Sequence, residues 1–192
     1  MTATIATLSD RPSADRTGLV RQYDLAAVGT GDRHVLTLWS APPAGPAGRR
    51  YLVSVDWPGP AADQEPAVAT VLTFPGPVGD RGHLAHARSW DRIEPALATV
   101  VEAVGSLRLT DPDDDSVLVV NLATTMAGLR AIGTAVHATD LLPDEDPALL
   151  TGPSRIEFHL VTSSVVTSPD SVASPISVAS PVSVASPVGS IR

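Results

Sequence analysis

Two histidines three residues apart, His83 and His86, with Asp80 and Asp91 close by in sequence, are the side chains best suited to chemistry. Imidazoles and carboxylates are the donors that zinc and iron take, and this spacing places both rings on one face of a helical turn. The same four residues could serve a metal-dependent or hydrolytic enzyme. Their setting, Pro75-Gly76-Pro77-Val78-Gly79-Asp80-Arg81-Gly82, reads as a loop with nothing to orient the ligands, so no metal site is assigned. Asp111, Asp113 and Asp115 match the first, third and fifth positions of a calcium-binding loop. The match stops there, because Ser116 stands where the loop needs Gly and Leu122 where it needs the bidentate Glu, and a solvated turn accounts for the cluster. Gly76, Gly79 and Gly82 follow no strand and are interrupted by prolines, which makes a surface loop a better reading than a phosphate cradle. Arg49-Arg50 beside Tyr51 and Trp57 could form an anion or cation–π patch, or be the solvated start of a strand. No serine sits in a GxSxG elbow, so catalytic residues stay unassigned.

Two absences exclude more than any motif includes. All 13 basic residues are Arg, and the chain has no Cys. There is thus no P-loop or Schiff-base lysine and no thiol nucleophile, disulfide or thiolate metal site. No cofactor motif takes their place, and none is expected. The net charge of -8 and the pI near 4.9 argue against a nucleic-acid partner, since phosphate binding rests on clustered cations. The N-terminal residues lack the cationic and apolar stretches of a signal peptide, and no apolar run approaches the ~18 residues of a membrane span. A cytoplasmic protein is expected. Arg in place of Lys, with abundant Ala, Gly, Pro and Val, fits a high-GC genome such as an actinobacterial one.

The elements that would position these residues separate by composition. Residues 1–18 are small and polar and read as a disordered leader, 19–163 as a single α+β domain, and 164–192 as a low-complexity tail. The tail repeats SPxSVA with a period of six, and its regular prolines predict extended or disordered chain. Within the domain, strands are predicted at 34–40 and 51–56, paired antiparallel across a Pro/Gly loop, and at 116–122 and 155–161, with 63–74 ambiguous between strand and helix. Asp91 and Glu94 resemble a capping box for a helix over 91–104 with Ile93, Leu97, Val100, Val101 and Val104 on one face. Thr124 or Thr125 can cap a second helix with Met126, Leu129, Ile132, Gly133 and Val136 as its apolar stripe. The predicted fold is a mainly antiparallel sheet of four or five strands with two helices on one face, with Trp39 and Trp90 as core anchors.

Two stretches carry resemblances. Val35-Leu36-Thr37-Leu38-Trp39-Ser40, followed by the Gly/Pro loop and Tyr51-Leu52-Val53, resembles a family of small actinobacterial proteins classed as a domain of unknown function, and this implies no activity. Val188-Gly189-Ser190-Ile191-Arg192 looks like the C-terminal loading peptide of encapsulin cargo proteins, with Ile191 where Leu is usual and without a leucine in its first half. That likeness implies a shell protein as partner, with Val188 and Ile191 seated in an apolar groove. The composition itself points to a soluble, non-enzymatic accessory or protein-interaction domain, with cargo targeting and a His83/His86 enzyme as alternatives.

Overall fold

The computed structural model describes residues 4–13, 16–43 and 48–167. Among these, the strands are β1 (Ile5–Ser9), β2 (Leu19–Ala27), β3 (Arg33–Trp39), β4 (Arg49–Pro58), β5 (Val68–Phe74), β6 (Ala103–Thr110), β7 (Val117–Ala123) and β8 (Arg155–Val166). The helices are α1 (Gly79–Leu97) and α2 (Met126–His137), with one 3-10 turn at Pro147–Leu149. The eight strands close into a barrel in the order β1-β3-β2-β8-β5-β7-β6-β4, every neighbouring pair antiparallel.

A closed barrel of eight strands corrects the expected open sheet of four or five. Three strands make the difference. β1 lies in the stretch taken as a leader, and its Ala6 and Thr7 are buried although the segment is short and half polar. β2 had no prediction. β6 begins where a helix was expected: α1 starts at Gly79 and ends at Leu97, Pro95 falls in its last turn, and Val100 is already in the turn leading to β6. The spacing of Val100, Val101 and Val104 suits a helical face, but β6 pairs with both β4 and β7, and tertiary pairing outweighs local periodicity. β3 and β4 do not pair with each other either, because β1 lies between them. β8 runs to Val166, past the expected boundary at 163, and the repeat that begins at Ser168 lies outside the described residues.

The barrel consists of two halves with the same internal order. β5-α1-β6-β7-α2-β8 gives the sheet β8-β5-β7-β6, the fourth, first, third and second strands of its half. β1 to β4 give β4-β1-β3-β2, the same order without helices. The register matches too: Thr7 pairs with Thr37 as Thr70 pairs with Asn121, so Ile5-Ala6-Thr7-Leu8 corresponds to Val68-Ala69-Thr70-Val71. In the second half helices carry the crossovers. In the first, no helix is present among the described residues.

Strand alternation divides the side chains between two environments. Ala6, Tyr23, Leu25, Leu36, Leu38 and Tyr51 from the first half meet Ala69, Val71, Leu107, Leu109, Val120 and Leu122 from the second, and fill the barrel. On the outside, Val68, Ala103 and Ala123 receive Leu97, Leu129 and Ile132 of the helices. Trp39 also faces outward, 1% exposed, and donates from Nε1 to Thr7 Oγ1 at 3.0 Å.

His159 pairs in register with Ala69 and so points into the barrel, where it is 2% exposed and neither ring nitrogen has a hydrogen-bond partner among the described residues. Burial holds its pKa below the ordinary 6.5, a drop that His34 and Arg155 reinforce and Glu157 opposes. The folded state thus keeps the ring neutral while the unfolded state protonates it, and stability present above pH 6.5 is lost as pH falls below that value. Denaturant unfolding from about pH 7.5 to about pH 5.5 should show a smaller loss for His159→Leu than for the wild-type chain. Equal losses would mean that the ring is protonated inside the barrel.

Candidate functional site

Both helices of the second half start from side chains that cap them. Val78 offers α1 no side-chain cap, and Asp115, from the acidic turn between β6 and β7, supplies one by accepting from Gly79 N at 2.7 Å. Asp115 holds a left-handed backbone, φ 58°, which Asp tolerates better than most residues. α2 is capped by Thr125, which accepts from Gly128 N at 3.0 Å, as its sequence predicts. Gly128 also lets α2 approach the sheet, since a Cβ there would lie 2.7 Å from Glu102 Cβ in the turn before β6 and 3.3 Å from Ala123 Cβ at the end of β7.

The C-terminal end of α1 and the first turns of α2 pack on the sheet at Val68, Ala103 and Ala123, and between helices and sheet lies a cleft of about 520 Å³. Its roof comes from His86, Trp90 and Ile93 of α1 and from Leu129, Ile132 and Gly133 of α2. A Cβ on Gly133 would meet nothing within 4 Å. The floor is two registered rows across β6, β7, β5 and β8: Ser106-Asn121-Thr70-Phe158 and Arg108-Val119-Leu72-Ile156. Both helices leave β8 uncovered, so Ile156 and Phe158, 54% and 41% exposed, form an open apolar side.

Polar groups are few and organised. Ser106 Oγ donates to Asn121 Oδ1 at 2.9 Å, and Asn121 Nδ2 donates to Thr70 Oγ1 at 3.3 Å, a ladder lying along the floor. Arg108 Nη1 donates to Ser54 Oγ at 3.1 Å and Nη2 to His83 Nδ1 at 3.0 Å. A guanidinium can only donate, so Nδ1 accepts and the His83 proton sits on Nε2, which donates to Asp115 Oδ1 at 2.5 Å. The Gly79 N–H, followed by His83, holds the Asp115 carboxyl below its usual range. His86 stands edge-on to Phe74 with ring centroids 5.4 Å apart. Burial, together with Arg108 and His83, lowers its pKa from 6.5, which favours the neutral ring, with one nitrogen to donate a hydrogen bond and one to accept.

The four metal-ligand candidates do not come together. His83 and His86 turn toward the sheet, whereas Asp80 and Asp91 are exposed on α1, and the carboxylate that meets His83 is Asp115. Among the described residues no three of His, Asp and Glu are placed to hold a metal ion. The acidic turn is held by its own surroundings: Asp111 accepts from Arg49 and from Asp113 N at 2.8 Å, and Arg49 also reaches Asp114 at 2.5 Å. Arg49 and Arg50 are the exposed start of β4, and Arg49 also lies 5.8 Å from the Tyr51 ring centroid while it clamps the turn. Val188, Gly189, Ser190, Ile191 and Arg192 lie outside the described residues. Sequence reading missed Arg108, Ser106 and Asn121. Their signal is a polar residue at every second position of a strand whose other face is apolar, as in Ser106-Leu107-Arg108-Leu109.

The connection from α2 to β8 edges the cleft with Thr151, Gly152 and Pro153, and ion pairs bind it to α1. Arg88 pairs with Asp144, Arg81 reaches Asp146 at 3.9 Å, and Arg92 Nε donates to Glu145 Oε2 at 2.8 Å. The Glu145 side chain is fully buried and also accepts from Leu142 N at 2.7 Å. Arg92→Met leaves that carboxylate buried and unpaired and should cost about 3–5 kcal/mol, or free residues 140–154 to proteolysis. Arg81→Met removes an exposed pair and should cost about 0–1 kcal/mol. Denaturant titration with limited proteolysis reads both, and equal effects would show that the Arg92 pair does not anchor the strap.

No protein-family model matches this chain, and no curated protein matches it. Among solved structures it is similar to a ferredoxin-fold protein from Listeria monocytogenes described as uncharacterized and related to antibiotic biosynthesis monooxygenases. The TM-score is 0.55 with 6% identity, over 85% of this chain and 96% of that one. An anthrone oxidase-like protein gives a TM-score of 0.48 with 11% identity, over 85% and 92% of the two chains. The likeness to the Listeria protein establishes the fold: the helical half of this barrel is a ferredoxin-like βαββαβ unit.

Proposed function

We propose that this chain is a binding domain for a small, mostly apolar molecule held in the cleft between the two helices and the sheet. The observation that carries this reading is the cleft itself: about 520 Å³, open along β8, lined mostly by apolar side chains on its roof and mouth, with a few fixed polar groups on its floor. Ligand sites have this character, with volumes of about 300–1,000 Å³ and a small number of placed donors and acceptors. The reading keeps the non-enzymatic, accessory role in the cytoplasm expected from composition and gives it a ligand. The Listeria protein's relation to monooxygenases concerns that protein, and at 6% identity it adds only the shared fold. For an enzyme built on His83 and His86, the serine nearest in sequence, Ser89, is bonded to the His86 carbonyl within α1. A cargo role for residues 188–192 has no observation among the described residues to favour it.

Gly133 offers a clean test, because a side chain there enters open space and replaces the poorest helix former but proline. The neutral fluorescent probe 1-N-phenylnaphthylamine should bind the wild-type chain saturably and with one-to-one stoichiometry, quenching Trp90. Gly133→Leu should remove that binding while Tm is unchanged or raised, by up to about 1 kcal/mol of added stability. Binding that survives the substitution, or that never saturates, refutes the cleft as a ligand site.

A further inference from the structure

We infer that the ligand of this cleft is an organic acid, a ring or chain compound bearing a carboxylate or phenolate whose oxygen sits on the Arg108 guanidinium. The inference rests on the binding role proposed above and adds the chemical class of the ligand.

The first support is the state of Arg108. Arg21, Arg49, Arg81, Arg88, Arg92 and Arg155 each pair with a carboxylate. Arg108, more enclosed than most of these, instead meets a serine hydroxyl and a neutral imidazole. Its Nε–H is buried and has no partner among the described residues. Burial works against its charge, and Asp115, on the far side of the His83 ring, compensates only in part. A partly buried guanidinium with no carboxylate bonded to it is poorly matched, and an anion is what relieves it.

The second support is the sign of the lining. The chain carries 21 acidic residues against 13 basic ones, yet among the described residues no Asp or Glu lines this cleft. The charged or chargeable groups that do are Arg108 on the floor and His86, Arg130 and His137 on the roof. In a protein with net charge -8 this is local selection for a negative ligand and against a positive one.

His83 is the positioning residue. By accepting on Nδ1 while Asp115 fixes its Nε2 proton, it holds Nη2 of Arg108 in place, and Ser54 holds Nη1. The guanidinium is oriented before any ligand arrives, which lowers the ordering cost of binding.

Displacement of 1-N-phenylnaphthylamine by 2-naphthoate and by 2-naphthamide, matched in shape and differing in charge, tests the inference. The wild-type chain should prefer the acid by about tenfold or more, the usual worth of a charge-assisted hydrogen bond. Arg108→Gln should bring the ratio to about one, by lowering the affinity for the acid far more than that for the amide. His83→Ala should lower acid affinity several-fold without changing that of the amide, and His83→Asn, whose side-chain oxygen replaces Nδ1 as acceptor, should restore it. Indifference to charge in the wild-type chain, a probe that stays bound against both naphthyl compounds, or a preference that survives Arg108→Gln would each overturn the acid assignment and leave the cleft standing. Failure of the probe itself to bind strikes the binding role instead.

Discussion

Closure of the hydrogen-bond ring is the constraint on which the rest of this structure depends. A ring of antiparallel strands has no edge, but it closes only if the two half-sheets match at both seams, β2 with β8 and β4 with β6. The two halves meet that demand with the same strand order and a matching register, and then diverge. Helices on the outer face of one half leave room for a cleft. On the outer face of the other half, Trp39 and Thr37 are buried. The single cleft described here follows from an asymmetry laid over a symmetric frame.

The cleft in turn depends on a turn. Asp115 ends the acidic segment with its backbone left-handed, caps α1 with one carboxylate oxygen and orders His83 with the other. Arg49 keeps the adjacent carboxylates in place from β4, its own proton held more tightly by Asp111 and Asp114. A cluster that looks like a partial cation site is therefore occupied by arginine and by backbone N–H groups. Its contribution to the cleft is to set where α1 begins and which way the guanidinium of Arg108 faces.

Some of this was legible in the sequence. The apolar run 116–122 is β7, paired on both sides; Thr125 caps α2; and the alternation over 155–161 is part of β8. Those features are local, each stated by a few neighbouring residues. What was not legible depends on partners far away. Thr7 is a strand residue because Thr37 and Arg50 flank it in space, and nothing in Ile5-Ala6-Thr7-Leu8 alone distinguishes it from a polar leader. The matching of β1 with β5 is too short to be seen as a repeat without the register. Helix α1 was displaced along the chain because its first turns are rich in Gly and Arg, while the valines after it imitate a helical face. The cleft has no sequence signature, since its floor and roof come from segments that local patterns cannot bring together.

β8 is the only strand bound to β2 on one side and to β5 on the other, so it joins the half-sheet without helices to the half-sheet with them. It is also the last strand among the described residues. During synthesis β1 to β7 must wait with the edges of β2 and β5 unpaired, and those edges carry Tyr23, Leu25, Ala69 and Val71 of the eventual interior. Its contacts span most of the sequence, and such pairings form slowly. The newborn chain therefore passes through an interval in which its two adhesive borders face the cell, and the arrival of the final strand ends it.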